Sequence, residues 1–270
     1  MSVIFVKIYC LILFAVIVVS SSCVSLKNSP SSSSKNIISA VSGRVIIDAG
    51  HGGEDAGAVG TLGLKEKDVS LDIALRIRRW LRKIMPKVDV VLTRKTDSFV
   101  SLEERVKTAN SKGGDLFLSL HINSSDDKDA SGFELYSLDV ASNAHADRLA
   151  NRENKSGGNG SHALKFVLAD LRASANRAES DQLAALISRG LHAQLPKVIP
   201  SQKLNNRGYN QALFYVLFVR MPAVLSEIFF ISNTQEERML ADRKVREHIA
   251  RGMVLGIKKY LENRVIRAQK

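Results

Sequence analysis

The sequence predicts one α/β domain with a mostly parallel central sheet of about six strands and helices on both faces. Three observations support this. Short apolar runs alternate with longer segments whose apolar residues recur every three or four positions. That alternation continues through the chain with no internal repeat. The residues best suited to chemistry stand just past the apolar runs, where loops beyond the carboxyl ends of parallel strands share one crevice.

The elements follow in order. Arg44 to Asp48 is a buried strand running into "AGHGG". Glu66 to Met85 is a helix, with Val69, Ile73, Ile77, Leu81 and Ile84 inward and Arg76, Arg78, Arg79 and Arg82 toward water. Pro86 ends it. Val88 to Thr93 is a second strand. Ser101 with Glu104 forms a capping box that opens a helix to about Lys112. Asp115 to Leu120 and Gly132 to Ser137 are further strands. Ala144 to Glu153 is a helix, and after "KSGGNGS" come helices over Ala163 to Leu171 and Asp181 to Leu195. Ala212 to Leu217 and Ala223 to Ile228 are expected as strands. Thr234 with Glu237 caps a short helix. A last helix runs from Asp242 to about Glu262, with Val245, Ile249, Met253, Ile257 and Tyr260 inward.

Ahead of the domain lies an apolar run from Ile8 to Val19, flanked by Lys7 and by Ser20, Ser21 and Ser22. It is shorter than the ~20 residues a helix needs to span a bilayer, so residues 1–22 read as an export signal. Cys23 directly after it resembles a lipobox cysteine, although Ser20 stands where Leu is usual. Lipidation at Cys23 and simple cleavage near Ser22 both stay open. Residues 23–41 are Ser-rich and aperiodic, a tether, and the folded domain is expected over 42–264. The predicted location is the periplasm or cell envelope, with any membrane attachment made through an N-terminal lipid.

The 270 residues carry a net charge of +12. The basic residues are dispersed over amphipathic helix surfaces and aromatics make up 6%, so no nucleic-acid partner is expected. An anionic cell wall suits the charge better. Cys10 lies inside the signal, which leaves the mature domain without a disulfide or a thiolate metal site. A catalytic metal would have to be held by His and carboxylates.

Four residues stand out at strand or helix ends: His51, Glu66, His121 and Glu227. Each has an ordinary reading. The glycine loop around His51 has the form of an anion cradle, but it lacks the Lys-Ser/Thr ending of a phosphate loop. His121 also reads as a core histidine, and Glu66 as a helix-dipole acid. Glu227, inside an apolar strand, is hardest to dismiss, because an unpaired buried carboxylate is costly.

"IIDAGHGG", "GLKEKDVSLDIA", "VLTRKTDSFVSLEER", "LSLHINS", "RLANREN", "NNRGYNQALFYVL" and "MPAVLSEIFFISN" follow one another in this order. Together they resemble the zinc-dependent N-acetylmuramoyl-L-alanine amidases (amidase type 3), over nearly all of Arg44 to Leu261. The resemblance implies one Zn2+ per chain held by His51, Glu66 and His121, with Glu227 as the catalytic acid and base. It implies hydrolysis of the amide between N-acetylmuramic acid and L-alanine, in cell-wall turnover or daughter-cell separation. Asn123 and Arg94 match positions near the site, and Asp48 is expected to orient the loop or His51. Phe229 stands where a small residue is usual, which leaves the site's shape open. Members acting at cell division carry a helix that plugs the zinc site and is released by activator proteins. Residues 155–180 lie where that helix sits, and no plugging carboxylate is evident there. Two other readings remain: an inactive wall-binding module, and a zinc peptidase acting within the stem peptide.

Overall fold

A computed structural model describes residues 41–155 and 163–269. The expected signal peptide, Cys23 and most of the tether lie outside the described residues. Six strands, β1 (Gly43–Ala49), β2 (Val88–Leu92), β3 (Leu116–Asn123), β4 (Phe133–Leu138), β5 (Asn206–Ala212) and β6 (Ala223–Phe230), form one sheet in the order β2-β1-β3-β6-β4-β5. Every neighbouring pair is parallel except β4 with β6. The expected fold class is the one observed.

Six helices cover the sheet: α1 (Glu66–Ile84), α2 (Leu102–Lys112), α3 (Ala144–Lys155), α4 (Ala163–Gln194), α5 (Thr234–Ala241) and α6 (Arg243–Ala268). One face packs against α1, α4 and α6, through residues such as Ile73, Ile77, Ile187, Ile249 and Ile257. The other packs against α2 and α3, through Ala109, Ala146 and Leu149. With both faces covered, the central strands are buried along their length, β3 and β6 at every residue. Each fully buried Ile or Val there contributes about 1.5–3 kcal/mol of hydrophobic stabilisation.

Three local expectations are corrected. The strand expected at Ala212 to Leu217 is β5 one segment earlier, followed by a 3-10 turn at Tyr215–Leu217. The "FYVL" run is apolar because the turn is buried, and a short apolar run does not by itself distinguish strand from other buried backbone. The two helices expected between Ala163 and Leu195 are one continuous helix. The short helix α5 is capped by Asn233, whose side chain accepts from Gln235 N and Glu236 N; Thr234 and Glu237 do not cap it. The capping box of Ser101 and Glu104 is present as expected.

Candidate metal centre

His51, Glu66, His121 and Glu153 converge at the carboxyl ends of β1 and β3, and one donor atom from each lies within 4.8 Å of the others. His51 Nε2 is 3.1 Å from Glu66 Oε1 and 3.3 Å from Glu153 Oε2. His121 Nδ1 is 3.1 Å from Glu66 Oε1 and 3.2 Å from Glu153 Oε2. His51 Nε2 and Glu153 Oε2 are buried, yet neither has a hydrogen-bond partner. Buried polar atoms are nearly always satisfied, so these two orphans pointing at one spot fit a cation between them. Two imidazoles and two carboxylates are a donor set that suits zinc.

The surrounding chain fixes each donor. His51 sits at φ 58, a left-handed conformation uncommon for a non-glycine residue. Its Nδ1 lies 2.9 Å from Asp55 Oδ2, which leaves Nε2 facing the cluster. The glycines answer for space: a Cβ on Gly50 would lie 2.6 Å from the His121 ring. Gly57, at φ 64, lies so close that its Cβ would stand 2.7 Å from both His51 and Glu66. Glu66 accepts from Ile122 N and Ala58 N, each at 2.9 Å.

Burial by itself would lower both imidazoles, but the adjacent carboxylates reverse this, raising His51 and taking His121 up to about 10. Burial would raise Glu66, and the His51 charge with the imidazole hydrogen bonds instead holds it down at about 2. The pocket therefore concentrates negative potential that a divalent cation can neutralise.

Glu227 pairs in register with His121 on β3 and with Glu134 on β4, so it stands beside the cluster. It is fully buried and neither oxygen has a partner. Burial first, and the charge of Glu153 second, push its carboxyl well above the usual range. Phe229 takes φ 66 in the bulge that follows Glu227 and packs into the core away from the crevice. A small residue suits that backbone with less strain.

The other expected residues lie further out. Asn123 is buried and donates to Glu134 Oε1 at 2.6 Å. Arg94 is buried as a brace, donating to the carbonyls of Ala49, Gly50 and Lys67. Asp48 does not touch His51; it holds Arg105, which donates to the carbonyls of Ala49 and His51. Asp55 is the residue that meets the outer ring nitrogen of His51, Nδ1.

Two residues escaped the sequence reading. Glu153 lies on the buried stripe of α3 with Ala146, Leu149 and Ala150, and an acid on such an apolar stripe was the available signal. Its neighbours hold it in place. Arg152 donates to Ser124 O at 2.7 Å, and the Asn154 side chain bonds Leu213 O and Tyr215 N, each at 2.8 Å. His145 places Nε2 2.8 Å from Glu134 Oε1. It lines a crevice of about 710 Å3 together with His51, Glu66, Asn123 and Glu153.

The profile of the N-acetylmuramoyl-L-alanine amidases matches residues 45–259. The chain belongs to that family. It is 38% identical over 226 residues to the N-acetylmuramoyl-L-alanine amidase AmiA of Escherichia coli K12, covering 80% of this chain and 75% of that protein. Against AmiC of Escherichia coli O6:H1 it is 34% identical over 225 residues, 80% of this chain and 52% of that one. Among solved structures, the amidase AmiC2 of Nostoc punctiforme superposes with a TM-score of 0.61 at 31% identity, over 81% of this chain and 96% of the other. The chain is thus a peptidoglycan-hydrolysing amidase of a family known for zinc dependence, and it holds a group of buried residues that could bind a metal.

Proposed function

We propose that this amidase cleaves the bond between the lactyl group of N-acetylmuramic acid and L-alanine of the stem peptide, with His51, Glu66 and His121 holding one zinc ion. The observation that carries the reading is the convergence of buried donors beside a buried, unpartnered Glu227. Zinc, when bound, polarises the scissile carbonyl and makes water more acidic. Glu227 takes the proton of the attacking water and passes it to the leaving nitrogen, since an amine leaves poorly unless protonated. Burial favours the protonated carboxyl that must exist between those two transfers.

Glu153 would add a fourth donor to these three, where an open catalytic site keeps a place for water. We read this arrangement as the resting state, with α3 as the plug and Arg152 and Asn154 as its fastenings. On this reading the plug includes α3, ahead of the residues 155–180 expected to form it. Substrate entry requires α3 to withdraw, which gives an activator protein of the division machinery a place to act. Export, with or without a lipid on Cys23, would deliver the enzyme to its wall substrate. Among the described residues no helix is long and apolar enough to cross a membrane.

Mass analysis of digested muropeptides tests the bond: sugar-free stem peptides are expected. Shortened stems still on sugar would replace this reading with a peptidase, and an absence of products from unplugged protein would replace it with a wall-binding module. Glu227→Gln should retain zinc and lose at least ~10²-fold in turnover. Glu153→Ala and Asn154→Ala should raise basal activity; unchanged activity in both folded variants would dismiss the plug.

A further inference from the structure

The short helix α5 carries two adjacent buried glutamates, Glu236 and Glu237, outside the metal cluster. Their side chains reach in different directions. Glu237 accepts from Leu62 N at 2.9 Å, Leu64 N at 3.1 Å and Thr61 Oγ1 at 3.1 Å. These donors form the tip of the loop that joins β1 to α1. The mouth of the same loop closes on Glu66: Glu66 N donates to Ala58 O and Ala58 N donates to Glu66 Oε2, both at 2.9 Å. Between tip and mouth, Gly60 N donates to Leu64 O at 2.9 Å. The loop is therefore tied to α5 at one end and to a metal-donor carboxylate at the other.

Glu236 accepts from Phe230 N at 2.7 Å and Gly132 N at 2.8 Å. Phe230 ends the bulge that follows Glu227, directly after the left-handed Phe229. Gly132 leads into β4, whose Glu134 faces Glu227 in register. A bulge with a non-glycine residue at positive φ persists only where its surroundings hold it, and Glu236 ties the end of that bulge to the start of β4, just beyond Glu227.

We propose that Glu236 and Glu237 are positioning residues that set both working parts of the centre from one helix. Glu237 fixes the donor Glu66 through the Gly60–Leu64 loop, and Glu236 fixes Glu227 through the β6 bulge. The proposal rests on the roles given above to Glu66 and Glu227. It predicts that neighbouring residues on α5 fail in different ways.

Zinc affinity is measured by competition with a chromophoric chelator on the whole domain, and turnover separately at saturating zinc. Glu237→Gln sets an amide N–H against the loop donors and should weaken zinc binding ~10–100-fold. Gly60→Ala tests the same link with Glu237 intact. Gly60 is not left-handed, and a Cβ there would lie 2.1 Å from Glu237 Oε1, displacing the carboxylate. The exposed Thr61, changed to Val, removes one donor and should give a smaller shift in the same direction, in a variant expected to fold. Glu236→Gln should lower kcat with KM and zinc affinity near wild type. Wild-type zinc affinity in folded Gly60→Ala and Thr61→Val would overturn the Glu237 assignment. Parallel loss of affinity and kcat in Glu236→Gln would overturn the other. Glu66→Ala separates the levels: if it still binds zinc normally, the site reading itself fails; if it alone loses zinc, only the positioning role fails.

Discussion

At the scale of single residues, the end of β1 is held by one buried ion pair. Asp48 and Arg105 are 2.7 Å apart, and Thr93 and Ser119 also donate to the carboxylate. Burial alone would raise the Asp48 carboxyl, but Arg105 and the hydroxyl donors outweigh it and bring it below the usual range. Its folded value therefore lies below its unfolded one. The stabilisation is complete above about pH 4 and is lost as the pH falls through the folded value. Asp48→Asn should flatten the acid limb of a plot of unfolding midpoint against pH. The variant also leaves Arg105 buried and unpaired, at a cost of about 3–5 kcal/mol. An acid limb as steep as wild type would show that other carboxylates carry it.

At the scale of elements, α4 and α6 approach through glycines. A Cβ on Gly190 would lie 2.0 Å from Gly252 O, and one on Gly256 would lie 2.5 Å from Ile187 Cα. The close contact sets how α6 lies on the sheet, and so where α5 before it presents Glu236 and Glu237. Gly190→Ala should cost about 1–3 kcal/mol in urea unfolding, since the backbones must separate. A gain in stability, as expected of alanine in an open helix, would mean that the helices are not packed this closely. Helix α3 is the contrasting case. Its buried stripe ends on an acid, so its seating depends on what Glu153 meets as well as on apolar area.

For the whole molecule, the sheet gathers Glu66, Glu153, Glu227 and two imidazoles where the solvent is largely excluded. An ion bound only by the folded state stabilises it, by about 4 kcal/mol at a thousandfold excess over the dissociation constant. Thorough chelation should therefore lower the unfolding midpoint, and added zinc should restore it. A midpoint indifferent to both would place the metal elsewhere or nowhere.

How much of this was legible beforehand follows from the range of the forces involved. Apolar period and capping are local, so β1, α1, α2 and α6 could be read from neighbouring residues alone. The buried Glu227 was conspicuous because a carboxylate in an apolar strand breaks that local pattern. The sequence by itself determined the alternating fold and singled out His51, Glu66, His121 and Glu227 as candidates. It could not show that Glu153 meets the imidazoles, that Asp55 and not Asp48 touches His51, or that α5 bonds the backbone beside Glu66 and Glu227. Those contacts join positions far apart in sequence or depend on how a loop turns. Only the folding of the sheet and its covering helices brings them within hydrogen-bond range.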